Sequence, residues 1–106
     1  MVRSETSSEG LVTISLDRPD KANALTPGML EALIAAVEAA TTAGARALVL
    51  TGTGKVFSAG ADLAGALGLL KEGKVDAFES MVANFQRTSQ AIKYSLVPVV
   101  AAVHNT

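Results

Sequence analysis

Gly52-Thr53-Gly54-Lys55-Val56-Phe57-Ser58-Ala59-Gly60-Ala61-Asp62-Leu63 is the stretch around which the rest of this chain is organised. It comes after the apolar run Ala47-Leu48-Val49-Leu50-Thr51, so the pattern predicts a strand, a Gly-rich turn, a second short extended piece and a sharp bend into a helix. Gly60 gives the bend its backbone freedom, and Ala61-Asp62-Leu63-Ala64 has the propensity to begin a helix. The first N–H groups of a helix lack intrahelical partners, and N–H groups aimed at one point stabilise negative charge on a ligand oxygen. Taken alone, the same residues also describe a tight connection with no ligand, because Gly-Ala-Asp is a weak pattern.

Upstream, residues 1–9 are polar and are expected to be flexible. Leu11 to Leu16 alternates after Leu11, which predicts a half-buried strand ended by Arg18-Pro19-Asp20-Lys21. The loop Lys21-Ala22-Asn23-Ala24-Leu25 is, on its own residues, a turn carrying a cation. Thr26-Pro27 is a helix start, with Thr as N-cap and Pro in the first position. Met29, Leu30, Leu33, Ile34 and Val37 then make one apolar stripe, and Gly44 is the expected stop.

Downstream, Ala61 to Leu70 predicts a short helix weakened by Gly65 and Gly68 and broken by Gly73. A longer helix is expected from Asp76 to about Tyr94, with Ala77, Phe78, Met81, Val82, Phe85, Thr88, Ser89 and Ile92 on one side. Val97 to Val103 is a last strand. Like Ala47 to Thr51 it is almost continuously apolar, the signature of strands covered on both faces.

The 106 residues support one domain. Hydrophobic residues make up 49% and charged residues 18%, so some apolar surface is expected to be covered by a partner. A formal net charge of -1 without a basic run gives no nucleic-acid footprint. The absence of cysteine excludes disulfides and thiolate metal sites and fits a cytoplasmic setting. No stretch approaches the ~20 apolar residues of a membrane span, and the first ten residues have no signal-peptide core.

Four pieces of the sequence resemble the enoyl-CoA hydratase/isomerase, or crotonase, superfamily. They are Leu16 to Leu25, Ala47 to Gly54, Phe57 to Leu63, and Val97 to Val103, in the family's order through nearly the whole chain. The resemblance implies an α/β fold, a crotonase-like spiral of ββα units, of which this chain is expected to be a truncated, N-terminal portion. It implies that Ala61 donates its backbone N–H to a thioester oxygen, with Ala59, Gly60, Asp62 and Leu63 around it. It also implies that Lys21, Ala22 and Ala24 contact coenzyme A, and that Ala64 to Val75 forms a variable, mobile wall of the acyl pocket.

Coenzyme A is then part of the substrate, and no tightly bound cofactor or metal is expected. A second oxyanion donor normally lies in a Gly-rich segment after the Ala-Ala-Val strand, where this chain has His104-Asn105-Thr106. The family's acid/base carboxylates lie further on. The resemblance therefore implies acyl-CoA binding by a catalytically incomplete chain, and a homo-oligomer. A different class of function, a non-catalytic interaction module, is the alternative.

The remaining polar residues give weak signals. Asp62 at a helix start is expected to cap backbone donors. Glu72, Asp76 and Glu79 are expected on a solvated surface, and Ser58 and Tyr94 have no activating base. His104, the single histidine, has neither a patterned acid nor a metal-ligand partner.

Overall fold

The computed structural model describes residues 1–105. Its elements in chain order are β1 (Val2–Thr6), β2 (Leu11–Leu16), a single 3-10 turn (Pro19–Lys21), α1 (Pro27–Thr42), β3 (Ala47–Gly52), α2 (Leu63–Lys71), α3 (Val75–Lys93) and β4 (Val99–Ala101). The strands form one sheet in the order β1-β2-β3-β4, with β1 antiparallel to β2 and the other pairs parallel.

β2 buries Val12, Ile14 and Leu16 and leaves the alternate residues less covered, as a strand with one buried face requires. Those three meet Leu48 of β3 and Met29, Leu33, Val37 and Ala40 of α1 in the core. The α1 stripe is buried as its spacing predicts, and Thr26 Oγ1 accepts from Met29 N at 3.2 Å. Gly44 lies just past the helix with φ +84°, a conformation that suits a residue without Cβ.

Two expectations are corrected. Residues 2–6 are not frayed: they pair with β2 from Val2 opposite Leu16 to Thr6 opposite Val12, and Ser7 N donates to Leu11 O across the turn. Backbone pairing with β2 holds this segment although its side chains are mostly exposed. Second, the stretch before the bend forms no strand of its own. Its extended contact is a single parallel bridge between Ala61 and Leu25.

Within this chain the apolar strands have helices on one face only, as expected of strands that need a partner for the other. β2 and β3 turn Val12, Ile14, Leu16 and Leu48 toward the helices. Val100, which pairs with Val49 on the opposite face, is 58% exposed. β4 itself spans three residues, although hydrogen bonds to β3 continue from Pro98 O to Ala102 N. α1 packs on β1 and β2, and α3 packs on α1 and α2, so the helices form a second layer on one side.

α2 and α3 begin within two residues of their predicted positions. Gly65 and Gly68 lie inside a continuous α2, and Gly73 separates the two helices with φ +73°. Of the expected α3 stripe Met81 and Thr88 are buried; Phe78 and Phe85 are half-buried and Val82 is exposed. No helix among the described residues is long and apolar enough to cross a membrane.

Candidate functional site

The bend between β3 and α2 is held from below by the loop that precedes α1. Leu25 N donates to Gly60 O at 2.7 Å, and Asp62 N donates to Leu25 O at 3.0 Å. In this parallel arrangement Leu25 bonds the neighbours on either side of Ala61, so the N–H of Ala61 itself points away from Leu25. Among the described residues it has no hydrogen-bond partner, whereas Ala59 N donates to Ala22 O and Gly60 N to Ser58 Oγ. Gly60 adopts φ +88°, which allows the chain to turn here without a Cβ clash.

Asp62 is the N-cap of α2. Its Oδ1 accepts from Gly65 N at 3.2 Å, and its Oδ2 pairs with Arg18 Nη1 at 3.0 Å. Arg18 Nη1 also donates to Ala24 O at 3.2 Å, so one guanidinium joins the loop to the helix start. The Gly65 N–H first, and then the bond from Arg18, hold the Asp62 carboxyl below its ordinary value of 3.8; burial opposes them. A folded value below the unfolded one stabilises the protein above pH 3.8, and that contribution is lost as pH falls through the folded value. Asp62→Asn is expected to be less stable than the parent at neutral pH, with the gap closing in acid. Urea unfolding across that range checks this, and a gap that persists in acid would assign the effect to packing instead.

Asn23 is the polar residue at the centre of this arrangement, and its side chain is fully buried at 0% exposure. Its Nδ2 donates to the carbonyls of Thr53, Val56 and Phe57 at 2.9, 3.0 and 3.1 Å. Its Oδ1 accepts from Arg18 N at 2.7 Å. Ser58 Oγ donates to Asn23 O at 2.8 Å. Ala22 and Asn23 both take left-handed backbone angles, with φ 52° and 54°. The sequence contained a sign of this: a lone Asn among Ala22, Ala24 and Leu25, of a type that tolerates such angles. The turn reading of this loop passed over both Asn23 and Arg18.

The other site residues expected from the sequence lie around the same loop and bend. Lys21 is exposed at the end of the 3-10 turn. Ala22 N donates to Pro19 O and Ala24 N to Lys21 O, so these donors are used within the loop and only acceptor capacity is left for a ligand. Ala59 and Leu63 lie on either side of Ala61, and Leu63 is exposed. Beside the bend lies an apolar cleft of about 310 Å³, bordered by Leu25, Leu50, Phe57, Gly60, Phe85 and Ile92.

The remaining candidates stand apart from any such arrangement. Glu72 pairs with Lys74 at 3.0 Å on the surface, and Asp76 and Glu79 are exposed. His104 Nε2 lies 3.3 Å from Gly54 O, and His104 O accepts from Phe57 N, which gives the residue a tethering role. Among the described residues no cluster of His, Cys, Asp or Glu is arranged to hold a metal ion.

This α/β fold is that of the crotonase class, as its superposition on solved structures shows. The sequence profile described as enoyl-CoA hydratase/isomerase matches residues 6–105, and the chain belongs to that family. It is 38% identical over 100 residues to a protein of Mycobacterium tuberculosis named a probable enoyl-CoA hydratase, covering 93% of this chain and 37% of that one. A probable enoyl-CoA hydratase of Rhodobacter capsulatus is 42% identical over 100 residues, covering 92% and 36%. The crystal structure of an enoyl-CoA hydratase/isomerase from Xanthobacter autotrophicus Py2 superposes with TM-score 0.85 at 32% identity, covering 98% of this chain and 38% of the other. The chain thus spans little more than a third of the length of these relatives.

Proposed function

We propose that this chain binds an acyl-CoA thioester, with the Ala61 N–H as one donor to the thioester oxygen. The observation that carries this is the free Ala61 N–H, flanked by the paired groups of Gly60 and Asp62. A donor already fixed by its neighbours needs no reorganisation when charge develops on the oxygen. The nine-residue α2 begins two residues later, so the positive end of its dipole lies on the same side of the chain. The apolar cleft beside Gly60 offers room for an acyl group, and the exposed Lys21 offers a cation for the nucleotide part of coenzyme A. The chemistry such a donor serves is proton transfer or water addition at the thioester, in a cytoplasmic setting that the lack of cysteine fits.

Among the described residues no carboxylate stands free beside Ala61, because Asp62 is engaged by Arg18 and Gly65. Hydratase and isomerase turnover by these residues is therefore expected to be close to background. The test compares butyryl-CoA with S-butyl-CoA, a thioether that keeps the nucleotide, pantetheine and alkyl chain but lacks the carbonyl. One hydrogen bond of ordinary strength to that carbonyl predicts about tenfold tighter binding of the thioester. Equal affinity for both ligands would remove the oxyanion role. Robust turnover lost in Glu72→Gln or Asp76→Asn would identify an acid outside this arrangement.

A second function is carried by a different observation. Leu96 is 89% exposed, and Tyr94, Val100 and Val103 are exposed near it in sequence, at the edge strand of the sheet. Such an edge is ordinarily covered, so these residues support self-association as an interaction module. Sedimentation at micromolar concentration is expected to give at least twice the 10.8 kDa chain mass. A stable, monodisperse monomer contradicts it.

A further inference from the structure

We infer that Asn23 and Ser58 are positioning residues for the Ala61 donor, an inference that rests on the thioester reading of Ala61. Neither side chain needs to touch the ligand. Asn23 shares two amide hydrogens among three carbonyls, those of Thr53, Val56 and Phe57, and so fixes the whole turn after β3. Its own carbonyl then receives the hydroxyl of Ser58, and the same hydroxyl oxygen accepts from Gly60 N at 3.0 Å. This relay runs from a fully buried amide to the residue immediately before Ala61. On the other side, Leu25 holds Gly60 O and Asp62 N.

The peptide that carries the Ala61 N–H is thus clamped through Gly60 at both its N–H and its carbonyl, and through Asp62 beyond it. Removing the Ser58 hydroxyl frees Gly60 N while leaving the Leu25 bridge intact. The chain is then still folded and Leu25 still holds the Gly60 carbonyl, but the Ala59–Gly60 peptide has lost its tether and the Ala61 N–H is held from one side only, which weakens a directional bond to an oxygen more than it weakens contacts to the rest of a ligand.

The discriminating measurement is the affinity ratio between butyryl-CoA and S-butyl-CoA, taken by calorimetry on the 106-residue chain. In the parent the ratio is expected to be about ten. In Ser58→Ala and Asn23→Ala it is expected to fall toward unity, with S-butyl-CoA bound about as tightly as by the parent. Ser58→Thr, which keeps the hydroxyl, is expected to restore it. A buried amide is hard to remove without unfolding, so if Asn23→Ala does not fold, Ser58→Ala decides. A parent-like ratio in folded Ser58→Ala overturns the inference, as does an equal loss of affinity for both ligands. A ratio near unity in the parent overturns the Ala61 reading itself, and the relay with it.

Discussion

Ala61→Pro is expected to fold and to lose its preference for a thioester over the matching thioether, a fall of about tenfold in the affinity ratio. Proline deletes the N–H, and this N–H is engaged by no other group among the described residues, so no internal hydrogen bond is given up. The ring also restricts the residue before it. Here that residue is Gly60, whose φ of +88° already depends on the absence of a side chain, and glycine is the residue best able to adjust. Calorimetry with both ligands measures the ratio, and circular dichroism verifies the fold. A folded Ala61→Pro protein with the parent's preference would show that the thioester oxygen is not bound at this N–H. If a longer form of the chain turns over substrate, loss of one such donor is expected to cost roughly 10²–10³ in rate.

The largest effect on stability is expected from Gly52→Ala, at the end of β3. A Cβ at this position would stand 2.2 Å from Phe57 O and 2.8 Å from Asn23 Nδ2. The first is a backbone atom and the second belongs to a side chain held by three carbonyls, so neither can move without disturbing the turn. Overpacking of this kind costs about 3 kcal/mol. Denaturant unfolding of the variant measures it. A loss below about 0.5 kcal/mol, the size of an ordinary surface change, would mean that the turn is far more compliant than its hydrogen bonds imply. Because the clash involves Asn23, the same variant is expected to weaken thioester preference in whatever fraction stays folded.

The parts of the fold that depend on neighbouring residues were legible in the sequence. Thr26 and Pro27 start α1, its five-residue apolar stripe is buried, and the alternation in β2 is that of its buried face. Asp62 caps α2 as its place at a helix start predicts. Contacts made across long separations were not legible. Asn23 reaches carbonyls 30, 33 and 34 residues away, and no local pattern announces such partners. The apolar run of β4 meets a related limit. Continuous apolarity signals that both faces want cover, but whether cover exists depends on where the helices go, and α1 and α3 lie on the same side. In the same way, polar side chains in residues 2–6 concealed a strand that pairs with β2 along its whole length.

The clamps on the bend also have an order in time. Its long-range partners Arg18, Ala22, Asn23 and Leu25 all precede it in the chain, and among the described residues only the His104 carbonyl, which receives Phe57 N, comes later. Synthesis from the N-terminus therefore delivers residues 57–62 to a loop that has already been made, before α3 and β4 exist. His104, whose carbonyl receives Phe57 N, is the last of these partners to be made.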